Sequence, residues 1–212
     1  MNCRAPFGFD ASGIVLSVGA RAVSFKPGDA VHARASRETI GTFAEKIALP
    51  QEFVARKPAA ISHAQAAALP LVGLTTLQGF ARVQARAGQR ILIHAGAGGI
   101  GTFAVQYASH LGLHVTTTTS SKNVDFVKSL GADRVIAYDR ENYLEAGGDY
   151  DIVYDTLGGA FTVDAFKVVK RGGAVISLSG PPDRDFARRE ERRLAGPRGG
   201  LADEPQGLCR EH

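Results

Sequence analysis

The stretch Ile91-Leu92-Ile93-His94-Ala95-Gly96-Ala97-Gly98-Gly99-Ile100-Gly101 leads an apolar strand directly into a Gly-x-Gly-x-x-Gly turn and then into an amphipathic helix, GIGTFAVQYASHLG. Few segments restrict a fold as much. Gly96 allows the tight strand-to-helix turn, Gly98 lets a pyrophosphate approach the backbone, and Gly101 permits close packing of helix on strand. The helix starts near Gly99 and Ile100, where free N–H groups and the positive end of the helix dipole favour phosphate. Gly96, Gly98, Gly99, Ile100 and Gly101 are therefore candidate ligands of a dinucleotide. The bland alternative is a merely glycine-rich βα turn, and the alternation that follows weighs against it.

That alternation begins after Gly88. Apolar, β-branched strands around Ile91, Val115, Val135, Ile152 and Val175 are separated by helical stretches, GIGTFAVQYASHLG, NVDFVKSLG and AFTVDAFKVVKRGG. Such a pattern implies βαβ crossovers and a parallel sheet. The expected fold is α/β, a Rossmann-type doubly wound parallel sheet with five of the usual six strands. From Gly8 to Leu49 the grammar is different: IVLSVG, AVHA and TFAEKIAL read as extended runs, with a Lys26-Pro27-Gly28-Asp29 turn between the first two. Pro27 pre-sets that turn and Gly28 supplies a positive φ. Ser62 and Gln65 form a capping box at a helix start. The expected organisation is a β-rich domain over 1–70, a nucleotide-binding domain over 71–182, and a segment over 183–212 whose mixed Arg, Glu, Gly and Pro composition predicts disorder.

At 212 residues and 44% hydrophobic composition the chain can bury a sizeable core. Cys3 and Cys209 stand at opposite ends without a second thiol nearby, which offers neither a disulfide framework nor a Cys-x-x-Cys metal site. No run of about 18 apolar residues exists to span a membrane, and MNCRAPFGFD lacks the apolar stretch of a secretory leader. The expected address is cytoplasmic, with a mitochondrial one left open. A net charge of +4 from 25 basic and 21 acidic residues is too slight to argue for nucleic acid. The basic residues of the last segment alternate with acids, and no aromatic follows Phe186 to stack on a base.

Cofactor choice is legible one strand later. A fold of this kind that prefers NAD places an Asp or Glu about 20 residues beyond the glycines to hold the ribose hydroxyls. Here the stretch reads Val115-Thr116-Thr117-Thr118-Thr119-Ser120-Ser121-Lys122, with no acid before Asp125. Hydroxyls and the Lys122 ammonium suit a 2′-phosphate, which a carboxylate would repel. NADPH is favoured. The alternative for Lys122 is an ordinary solvated residue, although a cation at a helix start is slightly misplaced against the dipole.

Taken in order, GFDASGIVLSVGARAVSFKPGDAV, TFAEKIAL, ALPLVGLTTLQGF, ILIHAGAGGIG, LGADRVIAYD and DIVYDTLGG resemble the zinc-independent quinone oxidoreductase branch of the medium-chain dehydrogenase/reductase superfamily. The resemblance covers about Gly8 to Gly180. It implies a partial GroES-like catalytic domain ahead of the Rossmann domain and an NADPH-dependent hydride transfer to a small-molecule quinone or activated enone. Zinc-dependent members begin the first motif with Gly-His-Glu, whereas this chain has Gly8-Phe9-Asp10, and its six histidines, His32, His63, His94, His110, His114 and His212, lack thiolate company. No metal is expected.

Carried over position by position, the resemblance sets Thr75 against the nicotinamide and its ribose. It sets Ser120, Lys122 and Tyr138 around the 2′-phosphate, and Leu157, Leu178 and Ser179 at strand ends facing the ligand. Thr75 reads equally well as a helix residue bonded to its own backbone, and Tyr138 as strand-end packing. The family's substrate-side asparagine and tyrosines are expected in segments preceding Gly8, and a sixth strand beyond Gly180, so the chain reads as shortened at both ends and no catalytic residue is assigned. A homodimer along the Rossmann edge is implied by the resemblance, and the sequence leaves the oligomeric state open. Two other readings stand beside the enzyme: a catalytically silent NADPH-binding protein, and an RNA-binding role resting only on the basic residues of the last segment.

Overall fold

The computed structural model describes residues 7–180 and 183–195, and the chain divides into two compact units, Met1–Gln84 and Ala85–His212. In the first unit, strands β1 (Asp10–Ile14), β2 (Ala30–Arg34) and β3 (Val54–Arg56) form an antiparallel sheet in that order, in keeping with a partial GroES-like domain. The Lys26–Asp29 turn leads into β2. Asp29 donates its N–H to the Lys26 carbonyl at 3.1 Å, its carboxylate accepts from the Lys26 N–H at 3.0 Å, and Gly28 takes φ 93°. Arg56 on β3 pairs with the same carboxylate at 3.2 Å.

TFAEKIAL, expected to be extended, forms no strand. Gly41 and Thr42 donate their N–H groups to the Gly8 carbonyl and Phe43 donates to that of Phe7, so the segment bonds to the chain just before β1 and joins no ladder among the described residues. Phe43 is left 80% exposed. Helix α1 (His63–Ala67) starts at Ser62 with the expected capping box to Gln65. Pro70 then opens a separate helix, α2 (Pro70–Arg82), at a position where its missing N–H costs nothing. The Leu71 N–H donates to the Asp10 carboxylate at 2.9 Å, which ties the start of α2 to β1. Helix α2 lies within the first unit, which extends to Gln84.

The second unit is built on five parallel strands: β4 (Arg90–Ile93), β5 (His114–Thr119), β6 (Arg134–Ala137), β7 (Tyr150–Asp155) and β8 (Val169–Ser177). Their order is β6-β5-β4-β7-β8. All five contain the residues around which strands were expected. Helix α3 (Gly99–His110) joins β4 to β5, α4 (Val124–Ser129) joins β5 to β6, and α5 (Ala160–Val168) joins β7 to β8. Successive residues of β4, Ile91, Leu92 and Ile93, are all fully buried, as are Val153 and Tyr154 of β7. Alternate side chains of a strand point to opposite faces, so both faces of the sheet are covered. One side of this core joins Leu92, Ile136, Tyr143, Tyr150, Val153 and Val168.

The threonines of β5 sit in a buried strand because their hydroxyls are satisfied there. Thr117 donates to the Ile93 carbonyl at 2.7 Å, and Thr118 Oγ1 accepts the Ala95 N–H at 3.0 Å. Strand β8 starts earlier than expected. Val169 pairs with Tyr150 and Ala174 with Ile152, so residues 170–173 bulge out of the ladder. Part of the segment expected to be disordered is helix α6 (Arg184–Ala195). The Asp183 carboxylate accepts the N–H groups of Asp185 and Phe186 at 3.0 and 3.1 Å, and the Phe186 ring meets Phe166 of α5 edge-on at 5.3 Å. A cap and one aromatic anchor organise a sequence that is otherwise mostly charged. Residues 196–212 of that segment, and with them Cys209 and His212, lie outside the described residues, as does Cys3.

His94, directly after β4, is fully buried between the Tyr143 and Phe161 rings at centroid distances of 4.8 and 5.5 Å, and its Nε2 has no hydrogen-bond partner among the described residues. Burial holds its pKa below the ordinary 6.5, against the pull of Asp155 and Asp164. The unfolded imidazole protonates near 6.5 while the buried one stays neutral, so this contribution to stability is complete above that pH and is lost as pH falls below it. Urea unfolding at pH 7.5 and 5.5 should show a loss of about 1 kcal/mol on acidification that His94→Phe largely removes. An equal loss in both proteins would contradict this.

Candidate functional site

The turn after β4 is fixed by contacts that leave no room for side chains. A Cβ at Gly96 would collide with Thr117 Oγ1 and lie 2.9 Å from Thr117 Cγ2. One at Gly101 would collide with the Ala95 carbonyl oxygen and lie 2.8 Å from Gly96 Cα. Ala95 itself takes φ 54°, uncommon for a residue with a side chain, and the Thr118 hydroxyl holds its N–H in that conformation. Gly96 donates to the Thr118 carbonyl and Gly98 to the Ala95 carbonyl, both at 2.9 Å.

Gly98 is the N-cap of α3, and no side chain caps the helix. Thr102 donates both its N–H and its hydroxyl to the Gly98 carbonyl, at 2.8 and 2.7 Å. The N–H groups of Gly99, Ile100 and Gly101 belong to the first turn, which lacks intrahelical acceptors. A Cβ at Gly99 would meet open space, whereas one at Gly98 would lie 3.2 Å from the Ala95 carbonyl oxygen. Space beside the backbone is thus tighter at Gly98 than at Gly99. Uncapped donors, the helix dipole and this open face fit a pyrophosphate.

The remaining sequence-derived candidates of the second unit also follow the C-terminal ends of the parallel strands. Ser120 and Lys122 follow β5, Tyr138 follows β6, Leu157 follows β7, and Leu178 and Ser179 follow β8. Lys122 and Tyr138 are exposed, and Ser120 Oγ accepts from Asn123 Nδ2 at 3.3 Å. Leu178 donates its N–H to the Asp155 carbonyl at 3.0 Å, and a Cβ on Gly158 would overlap Ser179, so the ends of β7 and β8 lie side by side. The chain runs from β4 outward to β5 and β6 and then returns to the other side of β4 for β7 and β8. The edge between β4 and β7 is the switch point where folds of this type bind ligands. Thr156 crosses it, donating its hydroxyl to the His94 carbonyl at 3.0 Å. Thr75 lies half-buried on α2 in the first unit.

Two residues that sequence reasoning missed organise this edge. Asp155, fully buried, accepts the N–H groups of Leu157 and Gly158 at 2.9 and 3.0 Å and the Thr162 hydroxyl at 2.5 Å. Burial alone would raise its pKa, but these hydrogen bonds outweigh burial and hold it below the ordinary carboxylate range. Asp139 accepts the Ser121 N–H at 2.8 Å and the Ser121 hydroxyl at 2.6 Å. In sequence Asp155 reads as one more residue of a strand, and Asp139 lies eighteen positions from Ser121; only the pairing of β5 with β6 would have signalled the second contact. Among the described residues no group of three or more His, Cys, Asp or Glu side chains could hold a metal, and no helix is long and apolar enough to cross a membrane.

The family model described as zinc-binding dehydrogenase matches residues 99–199. The chain is 38% identical over 190 residues to the NADPH-dependent alkenal/one oxidoreductase, chloroplastic, of Arabidopsis thaliana, an alignment that covers 84% of this chain and 49% of that protein. The quinone oxidoreductase from Coxiella burnetii superposes with a TM-score of 0.82 at 33% identity, over 90% of this chain and 62% of that one. A mycobacterial protein solved in complex with NADPH superposes with a TM-score of 0.71 at 28% identity, over 86% of this chain and 61% of that one. The chain spans about half the length of the sequence relatives it matches.

Gly101 and Gly99 contrast a crowded position with an open one. Gly101→Ala should lower stability by about 1–3 kcal/mol, because backbone atoms must give way. Gly99→Ala, facing open space within a helix, should leave stability unchanged or raise it by up to about 1 kcal/mol. Thermal unfolding of the two variants checks the contrast, and equal losses would contradict the geometry of the turn.

Proposed function

We propose that this chain, which is similar to members of the medium-chain dehydrogenase/reductase superfamily in its quinone oxidoreductase branch, belongs to that branch, binds NADPH along the C-terminal edge of its parallel sheet and serves the reduction of a small quinone or activated enone. The observation that carries the cofactor reading is the turn itself: an uncapped helix start at Gly98, open space at Gly99, and glycines on both sides that cannot be replaced without collision. The pyrophosphate would rest on the first-turn N–H groups of α3.

Bound NADPH supplies the hydride, and the protein's part is to bind, orient and exclude water. Lys122, exposed after β5, together with the Ser120 hydroxyl and the Tyr138 ring, would receive the 2′-phosphate. Leu157, Leu178 and Ser179 would border the cofactor where β7 and β8 end. Asp155 supports them by fixing the Leu157 and Gly158 backbone. The names of the similar proteins support the substrate class: an alkenal/one oxidoreductase, a 2-methylene-furan-3-one reductase and a quinone oxidoreductase.

Titration of NADPH and NADH, read by reduced-cofactor fluorescence, followed by addition of a quinone with absorbance monitoring, tests this reading. Binding followed by oxidation is the expected result. Binding without oxidation would mark a cofactor-binding protein without turnover, and no binding would remove the proposal. Lys122→Glu should weaken NADPH by about tenfold or more while sparing NADH. Equal weakening of the two would show that Lys122 does not meet the phosphate.

A further inference from the structure

We infer that Asp139 is a specificity-determining residue that restrains the preference of this site for a dinucleotide carrying a 2′-phosphate. The inference rests on the dinucleotide reading above and concerns a side chain that this reading leaves out. In the linear sequence the stretch after β5 is free of acid until Asp125. In the folded sheet it is not. Strands β5 and β6 pair in parallel with Thr119 opposite Ala137, and the Tyr138 N–H donates to the Thr119 carbonyl at 3.0 Å. The residues following Ala137 are thereby set beside those following Thr119, and Asp139 reaches Ser121 with both carboxylate oxygens.

Two consequences follow for an anionic ligand. The Ser121 N–H and hydroxyl stand at the start of the 3-10 turn Ser121–Asn123, where a phosphate would seek donors, and both are already given to Asp139. A negative charge is also fixed on Ser121, which stands between Ser120 and Lys122 in the chain, with Arg140 as the cation acting on it. The Ser121 hydroxyl and N–H hold the Asp139 carboxyl below the ordinary carboxylate range, which keeps it ionised at neutral pH. Among the described residues no ion pair joins Asp139 to Lys122, so the ammonium remains available to a 2′-phosphate while the carboxylate opposes it. The two charges act in opposite senses on NADPH, and NADH, which lacks the 2′-phosphate, is largely insensitive to either. Both charges are exposed, so the opposition is modest and screened by salt.

Asp139→Asn tests this most cleanly. An amide keeps the size of the group and can accept the Ser121 N–H while removing the charge. Calorimetric titration with NADPH and NADH should show NADPH tightening by about three- to tenfold and NADH changing by less than about twofold, with the NADPH gain shrinking at high salt. The 2′,5′-ADP to 5′-AMP affinity ratio should rise in parallel. Unchanged or weaker NADPH binding in a variant that still binds NADH overturns the inference and leaves the dinucleotide reading standing. Loss of both dinucleotides in the variant also overturns it, because Asp139 would then serve only to shape the turn. Failure of the unsubstituted chain to bind either removes both proposals.

Discussion

The contact of Gly101 with Ala95 and Gly96 determines how the rest of the second unit can be arranged. Only a residue without a side chain lets the first turn of α3 lie against the backbone that leaves β4. That approach aims the uncapped end of the helix along the sheet edge and forces Ala95 into a left-handed conformation. The energy stored at Ala95, of the order of 1 kcal/mol, is offset by the Thr118 hydroxyl on its N–H. Thr117 completes the arrangement from the same strand, closing over Gly96 and bonding to the Ile93 carbonyl. The run of threonines in β5 is thus the counterpart of the glycine turn.

The same device recurs along the edge. Where β4, β7 and β5 end, a side chain takes up backbone groups that the ladder no longer satisfies: Thr156 at the His94 carbonyl, Asp155 at the Leu157 and Gly158 N–H groups, Asp139 at Ser121. Side-chain hydrogen bonds of this kind rigidify loops that would otherwise sample many conformations. A preformed edge is what a cofactor site needs, since less of the chain has to be ordered when a ligand binds. His94 contributes in a different manner, as a neutral imidazole among aromatic rings beneath the turn.

Most of the second unit was legible in the sequence because its signals are local. Five β-branched runs alternate with helical stretches, and the Gly96–Gly101 spacing names its own turn. What escaped was non-local. TFAEKIAL has the composition of a strand, yet strand formation requires a partner, and its backbone instead meets Phe7 and Gly8. The helix at Arg184–Ala195 escaped because the Asp183 cap and the edge-on contact of Phe186 with Phe166 do not show in its charged composition. The difference in free space between Gly98, crowded by the Ala95 carbonyl, and Gly99, which faces open space, was equally out of reach of the sequence. Asp139 escaped for the deepest reason: sequence distance to an acid was counted along one strand, while the sheet brings one in from its neighbour.

The central claim, that the Gly96–Gly101 turn and the segment after β5 together receive one NADPH, is tested most directly by an amide-resolved NMR titration of the labelled chain. The account predicts saturable shifts at the amides of Gly99, Ile100 and Gly101, joined by Ser120 and Lys122 with NADPH but much less with NADH. Shifts confined to other elements, or none at the glycine turn at saturating cofactor, would contradict it.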